Sequence, residues 1–217
     1  MKKSGIMYVG LCGRSGTGKG YVSSLFETFG IVSVDTDEVY RSMTGPCEEL
    51  SPCMKELVGW FGDSVLEKDN SLNRKVLRNI VFSDENALSR LNEITHKHIL
   101  AESERIAERY GEQGKSIVLI DAPLLFESGF DKKCEKIICV TCPLEDSIER
   151  IVKRDGLTRK DAIKRLSTQK STRELVKLSD YMISNAVSQK KEKLVRHIMH
   201  VAVELKKIYS EKYEYGK

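Results

Sequence analysis

Residues 10–20 read Gly10-Leu11-Cys12-Gly13-Arg14-Ser15-Gly16-Thr17-Gly18-Lys19-Gly20, at the end of the apolar run Ile6–Leu11. Glycines this dense weaken any regular element, so the segment has to be a turn. Behind it, Lys19–Phe29 carries Leu25, Phe26 and Phe29 at helical spacing, with Gly30 as a stop. A strand, a loop fitting Gly13-x-x-x-x-Gly18-Lys19 and a helix form the template on which backbone N–H groups turn inward onto phosphate oxygens. Lys19 then reaches the outer phosphates as a point charge. The alternative, a plain glycine-rich turn, accounts for neither the lysine nor the flanking elements. One position departs from the pattern. Gly20 stands where a Ser or Thr would hold Mg²⁺, so a metal there needs water or a carboxylate instead. Thr17 and Ser23 are nearby hydroxyls, and neither occupies that position.

The rest of the chain repeats the strand–helix alternation. Strands are expected at Ile6–Leu11, Ile31–Val34, Ile117–Ile120, Lys136–Thr141 and Tyr181–Ser184. The third and fourth are almost continuously apolar, as in strands covered on both faces of a parallel sheet. Long helical patterns run over Asp84–Tyr110 with Gly111 behind it, over Glu145–Arg154 after Pro143, and from about Ser188 towards Tyr209. The expectation is an α/β fold: a doubly wound, parallel five-stranded sheet with helices on both faces and ligands at the strands' carboxyl ends. About eighty residues separate the second and third strands, far more than a crossover needs. Residues 41–115 are therefore expected to form a helical insert suited to a second substrate, within one domain spanning 1–217.

Composition excludes little but usefully. The 217 residues carry 36 Lys+Arg against 32 Asp+Glu, a net charge of +4 that is too mild to argue for nucleic acid. Gly10 and Gly13 interrupt the first apolar run before signal-peptide length, and no run approaches the roughly 20 apolar residues that span a bilayer. Six cysteines in a chain of this size read as reduced thiols, and a cytoplasmic protein is expected. Cys139-Val140-Thr141-Cys142 would suit a redox dithiol at a strand end, but a coincidence of strand termination is the simpler reading. The histidines show no metal-site spacing.

Three further clusters bear on chemistry. Asp35-Thr36-Asp37, with Arg41 beyond, ends the second strand. A carboxylate there either takes a proton from a hydroxyl or orders metal-bound water, unless Asp35 simply caps the next helix. Ile117-Val118-Leu119-Ile120-Asp121 is an apolar strand ending in an acid, the Walker-B pattern that places a carboxylate near Mg²⁺, and it runs on into the apolar turn Ala122–Glu127. Arg150, Arg154, Arg159 and Arg165, with Gln169 after them, straddle a break at Asp155-Gly156. A helix–turn–helix over residues 143–178 could fold over a nucleotide with arginines on its phosphates, although acids nearby would make most of these arginines a solvated face.

Taken in order, Gly10–Gly20, Asp35-Thr36-Asp37 with Arg41, Leu91–His96, Asp121–Glu127, Arg150–Gly156 and Asp180–Asn185 resemble the signature blocks of the dephospho-coenzyme A kinases. The resemblance implies a P-loop kinase related in fold to nucleoside monophosphate kinases. It implies transfer of the γ-phosphate of ATP, with Mg²⁺, to the ribose 3′-hydroxyl of dephospho-CoA, the last step of coenzyme A synthesis. By position, Ser15, Gly16, Thr17, Gly18, Lys19, Gly20 and Tyr21 would cradle ATP phosphates. Asp37 would be the base, and Asp35 or Asp121 would support the metal. Asp35, Asp37, Arg41, His96, Pro123, Leu124 and Leu125 would line the acceptor site. Arg150 and Arg154 would act from the lid, with Lys19, Asp37 and Arg150 as the catalytic set and Asn185 near the adenine. Lys97 replaces the family's usual proline after His96. A kinase for another nucleotide-like acceptor and a non-catalytic nucleotide-binding protein are the competing readings. Oligomeric state is open.

Overall fold

The computed structural model describes residues 5–214. In chain order the elements are β1 (Met7–Cys12), α1 (Lys19–Glu27), β2 (Val32–Asp35), α2 (Thr36–Thr44), α3 (Pro52–Phe61), α4 (Arg74–Ser83) and α5 (Glu85–Glu112). There follow β3 (Ile117–Asp121), β4 (Lys136–Thr141), α6 (Leu144–Asp155), α7 (Arg159–Ser167), α8 (Thr172–Lys177), β5 (Tyr181–Ser184) and α9 (Lys191–Tyr209). They fall into two compact units, one built from the chain up to Val34 and from Ala107 onward, the other from Asp35–Ile106.

The first unit holds a five-stranded parallel sheet in the order β2-β3-β1-β4-β5. β1 lies at its centre, with Leu11 in register with Asp121 of β3 and Cys12 with Cys139 of β4. All five residues of β3 are buried, which explains its unbroken apolar sequence. α9 lays Leu194, Ile198, Val201, Ala202 and Leu205 onto the sheet beside Val22 and Phe26 of α1, the 3.6-residue stripe its sequence carries. The doubly wound α/β expectation therefore holds. Its connections reverse direction around β1, so the carboxyl ends of β1, β3 and β4 are where such a sheet binds ligands.

Helix ends follow local chemistry. α1 closes through Gly30 at φ 79°, whose N–H donates to Glu27 O while the Ile31 N–H reaches Phe26 O. α5 differs from expectation, since it runs past Gly111 and turns only at Gly114, φ 81°. At Gly111 a Cβ would stand 2.9 Å from Ile6 Cδ1, the movable end of that side chain.

The second unit has its own core, in which Cys53, Met54, Leu57, Val65, Leu72, Leu77 and Ile94 are buried. Caps set its helices: Asp35 starts α2, Ser51 starts α3 and Asn73 starts α4, each accepting a main-chain N–H two or three residues on. Among the described residues no helix is long and apolar enough to cross a membrane.

Candidate active site

The loop between β1 and α1 is shaped by where its carbonyls go. Gly13 O accepts from Lys19 Nζ at 3.3 Å, and Arg14 O from Thr17 N at 3.2 Å and Thr17 Oγ1 at 2.8 Å. Gly16 O accepts from Arg150 Nη1 at 3.2 Å. Thr17 O accepts from Arg150 Nη1 at 3.3 Å and from Asn185 Nδ2 at 2.8 Å. A planar trans peptide puts C=O and N–H on opposite sides, so carbonyls drawn outward leave the following N–H groups turned into the loop. Gly16 and Gly18 adopt φ 78° and 82°, and a Cβ on Gly16 would stand 2.9 Å from Ser147 Cα. These two positions need glycine both for conformation and for space.

α1 begins at Gly18 without a side-chain cap and without an acid in its first turn, unlike α2 and α8, which Asp35 and Ser171 cap. Its positive end is thus left to an incoming anion. Lys19 folds back over the loop, its Nζ 4.0 Å from Asp121 Oδ1, with both side chains largely buried. The two signals that lay a hundred residues apart in sequence meet here, because β1 and β3 are neighbours.

Arg150 turns toward the phosphate loop. Its second nitrogen donates to Asn185 O at 2.9 Å, so the guanidinium joins the loop to the turn after β5. Asn185 is 8% exposed and is tied again through its N–H to Thr141 O at 2.7 Å. Beside them, next to the phosphate loop, opens a cleft of about 390 Å³ whose lining includes Gly18, Tyr21, Arg150, Asn185, Val187 and Leu194. Val187, Gln189 and Lys191 of that lining carried no sequence signal beyond their closeness to Asn185.

Arg154 is exposed and pairs with Asp155 at 2.7 Å, and Arg165 also holds Asp155 at 2.7 Å. These two guanidinium groups keep the Asp155 carboxyl below its ordinary range, Arg154 contributing most. Gly156, φ 66°, ends α6, and α6 and α7 share a small core of Ile148, Ile151, Ala162 and Leu166. Two contacts tie this helical pair to the loop. Arg14 Nη2 donates to Leu166 O at 2.5 Å, and Gln169 Oε1 accepts from Ser15 N at 3.0 Å.

The turn after β3 divides its apolar residues between surface and core. Leu124 stands half-exposed, but Leu125 is fully buried, and its side chain fills the space over Gly10, where a Cβ would lie 2.6 Å from Leu125 Cδ2. The Leu125 side chain belongs to the core of the first unit. Pro123 shares Leu124's exposure.

Cys139 and Cys142 take different partners. Cys139 neighbours Cys12 across the β1–β4 register, whereas Cys142 Sγ lies 3.0 Å from Ser147 Oγ. A hydrogen bond with Cys139 pulls the Cys12 thiol down, with Ser179 and the Lys19 charge assisting, and the same bond together with burial pushes Cys139 up.

In the second unit, Asp35 does cap α2, its Oδ1 accepting from Asp37 N at 2.8 Å and Glu38 N at 3.1 Å. Asp37 and Arg41 are exposed and four residues apart, hence on one face of α2. His96 is half-buried on α5. Lys97 holds Glu56 of α3 at 2.6 Å and His98 holds the same oxygen at 2.8 Å, so the residue that departs from the family pattern joins α5 to α3.

The dephospho-CoA kinase family model matches residues 7–191. A dephospho-CoA kinase of Listeria monocytogenes is 36% identical over 183 residues, covering 84% of this chain and 90% of that protein. A Thermus thermophilus crystal structure superposes with a TM-score of 0.75 at 26% identity, covering 93% of this chain and 98% of that one. The structure of a dephospho-CoA kinase from Campylobacter jejuni gives a TM-score of 0.64 at 25% identity over 92% and 97%. The match runs from the central strand past the turn that carries Asn185, taking in the loop, Arg150 and Asn185, with Leu194 of the cleft beyond it. The chain belongs to the dephospho-CoA kinase family.

Proposed function

We propose that the protein transfers the γ-phosphate of ATP to the ribose 3′-hydroxyl of dephospho-CoA, completing coenzyme A. The observation that carries this reading is a phosphate loop with its peptides turned inward and Lys19 laid across it, in a chain that the family model matches from residue 7 to 191. Gly16–Tyr21 cradle the ATP phosphates, with the Thr17 N–H itself engaged by Arg14 O, and Lys19 neutralises charge on the migrating phosphoryl group. Arg150 and Asn185 hold the loop's carbonyls and wall the nucleotide cleft. Asp37 accepts the proton of the acceptor hydroxyl, with Arg41, His96, Pro123 and Leu124 contributing to acceptor binding. Residues 41–115, within and beyond the Asp35–Ile106 unit, serve the acceptor, and 143–178 form the lid.

The residues fit Mg²⁺ in a reduced form. Asp121 offers a hard carboxylate beside Lys19, whereas Thr17 Oγ1 is engaged with Arg14 O and Gly20 has no oxygen. Asp121, with Asp35 as a second candidate, would hold the ion mostly through water and phosphate. Held there, the ion would supply Lewis-acid stabilisation of phosphate charge. The cytoplasm is the compartment assigned, with small molecules as partners and no role for nucleic acid.

Coupled ADP release with ATP, Mg²⁺ and dephospho-CoA tests the assignment. Turnover should depend on the acceptor and fall by about 10²–10⁴-fold in Asp37→Asn, with ATP binding retained. ATP binding without acceptor-dependent ADP, or equal turnover on other nucleosides, would overturn it.

A further inference from the structure

The contacts of Gln169 have no place in the scheme above. Its carboxamide meets Ser15 twice, Oε1 accepting from the main-chain N–H at 3.0 Å and Nε2 donating to Oγ at 3.4 Å. Leu166, three residues earlier, is buried in the α6–α7 core and offers its carbonyl to both Arg14 Nη2 and the Gln169 N–H. A guanidinium at a helix's carboxyl end is electrostatically favourable, so Arg14 reinforces the junction. The phosphate loop is therefore held at two separate places. Gly16 and Thr17 are fixed by Arg150 and Asn185, while the Arg14 side chain and Ser15 are fixed from the end of α7, and Arg14 O also accepts from Thr17 N and Oγ1.

The second place is the chemically sensitive one. The Lys19 ammonium, which reaches the β- and γ-phosphates, lies against Gly13 O. Arg14 and Ser15 follow directly along the chain, so the apex they form adjoins the carbonyl that Lys19 contacts. We infer that Gln169 is a positioning residue for phosphoryl transfer: acting through Ser15, it holds the Arg14–Ser15 apex of the loop in transfer geometry, and α7 carries it there. This rests on the kinase reading for its reaction but not for its geometry. A carboxamide suits the position because it both accepts and donates. A carboxylate would still accept from Ser15, but it would place negative charge where phosphates arrive.

The test compares wild type with Gln169→Leu and Gln169→Glu. It reads kcat and the ATP KM for transfer, ATP hydrolysis to water without acceptor, ADP binding, and thermal midpoint. Displacing a positioning contact by about an ångström can cost on the order of 10²-fold, so Gln169→Leu should lower kcat by roughly 10- to 100-fold. ADP affinity and the thermal midpoint should stay near wild type, because Gly16 and Thr17 keep their own tethers. Gln169→Glu should instead raise the ATP KM. If dephospho-CoA is not phosphorylated at all but Gln169→Leu still slows hydrolysis, the acceptor assignment fails and the Gln169 inference stands. Unchanged kcat and hydrolysis in a folded Gln169→Leu protein would overturn it. So would parallel losses in kcat, ADP affinity and thermal midpoint, the signature of general loosening.

Discussion

A Cβ placed on Gly20 meets nothing within 4 Å, so this glycine is not imposed by packing, and its φ is not in the left-handed region. Gly20→Ser should fold normally and gain about 0.5 kcal/mol from helix propensity in the first turn of α1. It also supplies the hydroxyl that the loop lacks for Mg²⁺. The Mg²⁺ concentration for half-maximal turnover should fall several-fold, with the ATP KM at saturating Mg²⁺ unchanged. A Mg²⁺ titration of both proteins, with thermal melts alongside, checks this. Single residues were unevenly legible in the sequence. Lys19 and Asp121 could be read because each closes a recognisable strand pattern. Leu125 could not, because a three-residue apolar turn has no periodicity to say which side chain goes inward, and only the gap above Gly10 decides it.

Elements were more readable than their partners. The strands β4 and β5 begin and end where the apolar β-rich runs do, and α9 presents the stripe its spacing demands. The short helices α2, α3 and α4 left only capping residues as signals, so their positions inside the long gap emerged from the fold. Arg150 shows a different limit. Its spacing from Arg154 puts both on one face of α6, yet one grips the phosphate loop and the other a neighbouring carboxylate. The planar fork of Arg150 serves three carbonyls at once, which an ammonium cannot do in the same geometry. Arg150→Lys should therefore raise the ATP KM by about 10-fold or more, consistent with the roughly 1.5–3 kcal/mol of a charge-assisted hydrogen bond. Steady-state kinetics at varied ATP would show it, and a KM within twofold of wild type would contradict it.

At the scale of the whole molecule, the two units have separate cores and separate electrostatic ties. In the Asp35–Ile106 unit, Lys97 first and then His98 hold the Glu56 carboxyl below its ordinary value of 4.5. A depressed carboxylate contributes stability that is present above the unfolded value and is lost as pH falls through the folded one. The unit should thus lose this contribution below about pH 4.5, where Glu56→Gln has nothing left to lose. Trp60, the single tryptophan, sits in α3 of this unit beneath Arg90, 5.6 Å from its ring centre, and its fluorescence reports the transition. The wild-type melting midpoint should drop more steeply than that of Glu56→Gln over this range, and parallel profiles would refute the assignment.

The outward-facing carbonyls of the phosphate loop have a consequence for transplantation. Gly13–Lys19 is a contiguous string, but the groups that set its peptide planes come from residues 150, 169 and 185 on other elements. Grafted alone between a strand and a helix of another scaffold, the string would bring the glycines and the lysine without the instructions for which way each amide should point. The portable object is the loop together with its three distant clamps, a discontinuous module that no cut-and-paste of the motif can carry.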